Sequence, residues 1–167
     1  QADIVTHLPG QPPVTFAHYS GYIKLQPEDN KALFYWFIEA EHDASLKPLV
    51  LWLQGGPGCS SIAIGAVREV GPFLIQSNGT QLTLNDFSWN KVANMLFLES
   101  PAGIGFSYTN DNYSIGDEST ANNSLAFLLR WFKRFPSFKS SDCYHKPPWS
   151  QRTKGLREAS CSASMSQ

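Results

Sequence analysis

Apolar positions fall into blocks of three kinds along this chain. From Val14 to Leu25, Phe16, Tyr19, Tyr22 and Ile23 stand among small or polar residues in a loose alternation. That pattern predicts a half-buried strand, with a break at Gly21. Ala32 to Ala40 (ALFYWFIEA) is aromatic and β-prone and predicts a second strand. Gln26 to Lys31 between them holds Pro27, Asp29 and Asn30, which are turn residues, so an antiparallel hairpin is expected. Leu49 to Leu53 and Asn94 to Glu99 are short, nearly unbroken apolar runs. Runs of this kind suit strands covered on both faces, as in a largely parallel sheet. The third kind is helical. Ile62 to Val70 predicts a short helix closed by Gly71-Pro72, and Glu118 to Phe135 predicts a long one. In the long one Ala121, Leu125, Leu128, Leu129 and Phe132 share one face of a 3.6-residue period. Asp117 is expected to cap its start, Lys133 and Arg134 sit at its negative end, and Pro136 stops it. Phe138 to Tyr144 should lead into a further strand. Strands alternating with helices predict an α/β sheet. From His145 onward the residues are polar and serine-rich without an apolar period, which reads as an unstructured tail, so a boundary is expected between 144 and 145.

Length and charge narrow the classes. The chain's 167 residues fit one domain. A net charge of −1 gives no electrostatic reason to expect nucleic acid or an anionic membrane as partner. The apolar runs are far shorter than the ~20 residues of a membrane helix. His7, His18 and His42 show no ligand spacing, so no metal and no cofactor are expected. The chain begins at Gln1 rather than Met and is read as a trimmed product. Three Asn-x-Ser/Thr sequons start at Asn78, Asn112 and Asn122 and favour a secretory route over a cytosolic one. The three cysteines are an odd number, so at least one lacks an internal partner.

The chemistry concentrates in Leu51 to Ser61, LWLQGGPGCSS. An apolar run that ends in glycines places backbone N–H groups, unobstructed by side chains, at the mouth of a strand, which is how an anion hole is built. A second loop of small residues, Ser100-Pro101-Ala102-Gly103, follows the Asn94–Glu99 run. No Gly-x-Ser-x-Gly nucleophile turn occurs in the sequence. Ser60, Asp142 and His145 stand in the order of a hydrolase triad, but order alone is a weak signal and no catalytic residue is assigned from it.

In order and spacing, the Gly-Gly-Pro-Gly-Cys-Ser-Ser and Ser-Pro-Ala-Gly-x-Gly-Phe-Ser-Tyr blocks resemble the plant serine carboxypeptidase-like family, most closely its carboxypeptidase II-like branch. The resemblance covers nearly all of residues 4 to 144, including Gly71-Pro72-Phe73, Ser88-Trp89-Asn90 and Trp131 to Pro136. It implies a truncated α/β-hydrolase: an N-terminal hairpin plus the first parallel strands and helices of the sheet. It also implies a glycoprotein of the secretory pathway, extracellular or vacuolar, and a parent activity that removes single residues from peptide C-termini at acid pH, with the peptide C-terminus as partner. The family's nucleophile lies in a Gly-Glu-Ser-Tyr-Ala-Gly turn just after the segment matching Asp142-Cys143-Tyr144, where this chain continues His145-Lys146-Pro147-Pro148.

By the resemblance, Gly56 is the oxyanion-hole donor and Gln54 and Gly55 hold the substrate's terminal carboxylate. The family usually has asparagine at position 54, and glutamine is one methylene longer. Arg68-Glu69 replaces the family's acidic pair, and Ile64 stands where an aromatic residue often lines the pocket. Cys59 matches a cysteine whose disulfide partner lies outside this chain, and Cys143 stands where an aromatic is usual, so three unpaired thiols are expected. The expectation is an N-terminal segment of a serine-type carboxypeptidase, inactive by itself. The alternatives are a non-catalytic truncated or decoy product, or a fragment of a family acyltransferase or lyase. Self-association is expected because Leu49 to Leu53 would lack a neighbouring strand and expose an apolar edge.

Overall fold

The computed structural model describes residues 3–25, 30–55, 58–77, 79–110 and 116–146, with residues 145 and 146 described as backbone. The strands are β1 (His18–Lys24), β2 (Lys31–Ile38), β3 (Leu49–Trp52), β4 (Phe73–Ile75), β5 (Leu82–Leu84), β6 (Asn94–Leu98), β7 (Tyr108–Thr109) and β8 (Cys143–Lys146). A π-helix, Ser61–Glu69, follows β3, and the long helix α1, Asp117–Arg134, precedes β8. The main sheet runs β1-β2-β6-β3-β8, with β7 also paired to β2, while β4 and β5 form a separate hairpin. Pairing is antiparallel from β1 to β6 and parallel from β6 through β3 to β8.

The expected hairpin is present, with His18 opposite Ile38 and Lys24 opposite Ala32. Gly21 does not break it and sits in register with Tyr35. Its missing side chain instead leaves room for Asp3, whose carboxylate a Cβ there would meet at 2.8 Å. Asp3 to Val5 lies along β1, with Ser20 N–H donating to Asp3 O at 2.9 Å and Val5 N–H to His18 O at 2.9 Å.

The expectation of an open edge at β3 is overturned. Leu49 to Trp52 pair with Asn94 to Phe97 on one side and with Cys143 to Lys146 on the other. The approach through Phe138 to Tyr144 therefore supplies the neighbour, and β8 itself is the outer strand on this side among the described residues. It runs two residues past the boundary expected at 144.

The strands carry two apolar faces, because side chains alternate along them. On β2, Leu33, Tyr35 and Phe37 face one cluster while Trp36 and Ile38 face the other. The connection from β3 to β6 covers the second face with the π-helix and β4, through Ile62, Ala66, Val70 and Phe73. The connection from β6 to β8 covers the first face with α1, through Phe127, Trp131, Phe132 and Phe135. Trp131 meets Phe37 edge-on at 5.0 Å and stacks on Phe135 at 4.7 Å, and Phe138 meets Phe37 at 4.9 Å.

The face that α1 buries overlaps the expected one only in part: Phe132 is buried and Leu128 packs against the core. Leu125 and Leu129 are 48% and 39% exposed, whereas Ser124, Phe127 and Trp131 are buried. The helix is apolar on more than one side, so periodicity alone does not choose between stripes. Contact with the rings of β2 favours the stripe that carries the largest aromatic area. Its N-cap is Gly116 rather than Asp117: Gly116 N–H donates to Ser119 Oγ at 3.1 Å, and Asp117 falls in the first turn, where its charge complements the helix dipole.

Buried Asn94 fastens the amino ends of β3 and β6. Its Oδ1 accepts from Ala40 N–H at 3.0 Å, and its Nδ2 donates to the carbonyls of Ala44 and Lys47 at 2.9 and 3.0 Å.

Candidate functional site

The glycine loop leaves the carboxyl end of β3, and Glu99 leaves the carboxyl end of the adjacent parallel strand β6. The two following connections depart to opposite faces of the sheet. A crevice at such a divergence is where open α/β sheets bind ligands. Residues 56 and 57 lie outside the described residues, so the donor expected at Gly56 does as well.

The residues on either side of that gap are tied down. Gln54 N–H donates to Ser61 Oγ at 3.0 Å. The Gln54 side chain is held at both ends of its amide, with Oε1 accepting from Trp52 Nε1 at 2.9 Å and Nε2 donating to Glu69 Oε1 at 3.3 Å. The longer side chain therefore lies along the π-helix rather than loose at the loop. Gly65 makes this approach feasible, because a Cβ there would overlap Trp52 Nε1. The helix ends on the wide turn that defines it, with Val70 N–H donating to Gly65 O at 2.9 Å. Gly55 is half-buried, as is Ile64, while Arg68 and Glu69 are exposed on the helix's last turn.

Ser60 and Glu99 form the base of the loop. Ser60 Oγ accepts from Ala63 N–H at 2.9 Å, capping the π-helix, and donates to Glu99 Oε1 at 2.5 Å. Ile62 N–H donates to the same oxygen at 3.3 Å. Glu99 is fully buried and its Oε2 has no partner. Gly105, at φ +53°, closes over this carboxyl, and a Cβ at 105 would overlap it. Burial raises the Glu99 pKa above its ordinary value, against the opposing pull of donors at Ser60, Ile62 and Ser61. The sequence does carry a signal for Glu99: a carboxylate closes an otherwise apolar strand run, and such a group needs buried donors.

The serine–aspartate–histidine order does not assemble. Cys143 pairs with Leu49, so Asp142 lies at the amino end of β3, and its carbonyl accepts from Leu49 N–H at 2.8 Å. Ser60 follows the carboxyl end of the same strand, about 13 Å away at ~3.3 Å per residue. The same separation keeps Cys59 from Cys143. Cys59 is free and Cys143 is disulfide-bonded, which corrects the expectation of three unpaired thiols. Asn122 is exposed on α1, while the Ser124 of its sequon is buried and bonded to Thr120 O at 2.9 Å. Asn78 and Asn112 lie outside the described residues. Among the described residues no cluster of His, Cys, Asp and Glu could hold a metal ion, and no helix is long and apolar enough to cross a membrane.

Comparison with known proteins places these features in a lineage. The family model for serine carboxypeptidases matches residues 9–146. Serine carboxypeptidase-like 35 of Arabidopsis thaliana is 64% identical over 146 residues, which is 85% of this chain and 30% of that protein. Serine carboxypeptidase-like 32 of the same plant is 54% identical over 145 residues, 85% of this chain and 31% of that protein. The chain thus spans about a third of the length of these curated relatives. The crystal structure of Kex1(delta)p, a prohormone-processing carboxypeptidase from Saccharomyces cerevisiae, matches with a TM-score of 0.75 at 30% identity, covering 86% of this chain and 35% of that one. The sheet is accordingly part of an α/β-hydrolase fold.

Proposed function

This chain belongs to the serine carboxypeptidase family, and we propose that it carries the carboxylate-binding and oxyanion half of a carboxypeptidase active site without the nucleophile. The observation that carries this reading is the fixed amide of Gln54, held between Trp52 and Glu69 at the mouth of the glycine loop. An amide donor beside a loop of backbone N–H groups suits the terminal carboxylate of a peptide. Gly56 supplies the oxyanion donor, a contribution of about 10²–10³ in turnover where a nucleophile is present. With no Gly-x-Ser-x-Gly turn in the sequence, the 167-residue chain binds without turning over.

A fluorophosphonate probe and a pair of small ligands test this. The purified chain should resist stoichiometric labelling by the probe. N-acetyl-phenylalanine should shift the Gln54 side-chain amide resonances, and its carboxamide analogue should not. Stoichiometric phosphonylation of a serine, with loss of fluoride, sinks the inactive reading, and equal shifts from both ligands sink carboxylate recognition.

The sequons and the family support entry to the secretory pathway with glycosylation at Asn78, Asn112 and Asn122. Phe87 and Leu46 are 88% and 83% exposed, and Val92, Phe106 and Ile75 are exposed too, which supports self-association of the isolated chain. The outer strand β8 offers the edge for it.

A further inference from the structure

On the face of the sheet that the π-helix and β4 cover, Phe73 stacks on Trp36 at 6.1 Å. Farther along β2 and β1, toward the carboxyl ends of β3 and β6, that face opens to solvent. Phe34 packs against the Trp36 cluster, and Tyr22 stands opposite Phe34 in the hairpin register. The stretch after β6 adds Phe106 and Tyr108, the latter paired with Ala32. Their rings form one row. Centroids are 5.5 Å apart from Tyr108 to Tyr22, 5.1 Å from Tyr22 to Phe34 and 5.1 Å from Phe34 to Phe106, with the planes inclined by 54°, 64° and 52°. Phe106, Tyr22 and Tyr108 are nonetheless 59%, 43% and 40% exposed. A contiguous exposed apolar patch of this kind marks a surface that meets a partner.

The row continues the crevice at the glycine loop. Gln54 follows Trp52 by two residues, as Glu99 follows Phe97, the pairing partner of Trp52. Glu99 N–H in turn donates to Phe34 O at 3.0 Å. Gln54, Glu99 and Phe34 therefore stand at one level on neighbouring strands, and at ~4.8 Å per strand about 10 Å separates Gln54 from Phe34. The Gln54 amide bonds to Glu69 of the π-helix, which lies on the same face as the row. The ground between is fixed. Ser107 Oγ accepts from Phe34 N–H at 2.8 Å and donates to Glu99 O at 2.6 Å. Ile104 reaches the glycine loop, where a Cβ on Gly58 would meet its Cδ1 at 3.4 Å.

An extended peptide advances ~3.3 Å per residue, so three residues cover that span. We propose that the row of Tyr22, Phe34, Phe106 and Tyr108 is a specificity subsite that receives an aromatic side chain of the peptide about three residues before its C-terminus. The proposal rests on the carboxylate reading of the glycine loop. The preference is for a ring because an incoming ring continues the inclined packing already present, whereas a small side chain leaves the row in water.

The test titrates three peptides into the full chain by calorimetry: acetyl-Phe-Ala-Ala-Ala, acetyl-Ala-Ala-Phe-Ala and acetyl-Ala-Ala-Ala-Ala, each as the free carboxylate and as the carboxamide. The first carboxylate should bind about tenfold more tightly than the all-alanine peptide, through ring packing and the apolar area of one ring. It should also bind more tightly than the peptide with phenylalanine next to the terminus. Its ring protons should show nuclear Overhauser contacts to Tyr22 and Tyr108. Phe106→Ser and Tyr108→Ser change exposed positions, so both variants should melt as the parent does and lose most of the preference. Equal affinities for the three carboxylates overturn the proposal, as does tighter binding with phenylalanine next to the terminus or a preference that survives both substitutions. Self-association that Phe106→Ser abolishes while peptide affinities stay unchanged assigns the row to a second copy of the chain and overturns it too. Equal binding of carboxylate and carboxamide forms is a separate failure: it sinks the reading of the glycine loop, and with it the register counted from Gln54, even where the phenylalanine peptide still binds more tightly than the alanine one.

Discussion

The two faces of the sheet are built from the same strands and bury different chemistry. Under α1 lies an almost wholly aromatic and aliphatic layer, in which Tyr35, Phe37, Phe127, Trp131, Phe135 and Phe138 interlock. Under the π-helix, the aromatic layer is interrupted by polar groups: His18 against Trp36, Gln54 against Trp52, and Ser60 against Glu99 at the carboxyl ends of the strands. The first face holds the sheet together by area alone. The second gives up some apolar contact to hold a loop in one conformation. Buried polar groups of this sort specify geometry when their partners are supplied and are costly when they are not.

Deleting the centre of the first face should have the largest effect. Trp131→Ala removes a fully buried ring with four aromatic neighbours and should lower unfolding free energy by about 3–5 kcal/mol, read from chemical denaturation. A smaller loss would mean that α1 contributes less to the sheet than its contacts indicate. On the second face, Glu99→Ala leaves the Ser60 hydroxyl and the Ile62 N–H without their acceptor and should lower unfolding free energy by about 1–3 kcal/mol. It should also speed amide exchange at Gln54 and Ser61 without affecting α1. Exchange that rises equally in both regions would erase the contrast between the faces.

A third measurement uses pH. The folded pKa of Glu99 is raised above its ordinary 4.5, so its contribution is complete below that value and is lost as pH rises through the folded pKa. Half-buried Glu39 has the same sign, while His18, lowered from 6.5, contributes above that pH and loses its contribution as pH falls. Glu99→Gln keeps an oxygen acceptor and removes the titration. The variant should therefore gain stability relative to the parent as pH rises from about 4.5 to 7, compared by denaturation at both ends. Parallel curves for the two proteins would show that Glu99 ionises as readily in the folded state as in the unfolded. The smallest effect belongs to the exposed side of α1, where Leu129→Ser should change stability by less than about 0.5 kcal/mol and reduce self-association in sedimentation.

Much of the first layer of organisation is legible in the residues. The β1–β2 hairpin, the apolar strands at Leu49 and Asn94, and the helix from residue 117 all follow from local pattern. The glycine loop declares itself by composition. Other features were hidden for identifiable reasons. Ala121, Leu125 and Leu129 satisfy the helical period as well as Phe127 and Trp131 do, and only a facing sheet with its own rings breaks that tie. The three-residue strands β4 and β5 are too short for a pattern to emerge. Gly21 reads as a strand breaker until Asp3 is found across from it.

The order of strands and helices, and the chemistry of the loop after β3, follow from which residues are apolar, small or polar along the chain, because these act over a few neighbours. The partnership of Glu99 with Ser60, the anchoring of Gln54 between Trp52 and Glu69, and the unmatched Nε2 of His18 join positions 15 or more residues apart, or depend on what is missing around them. Such relations exist once the strands lie side by side and water has been excluded, so hydrogen-bond satisfaction and burial in three dimensions settle them.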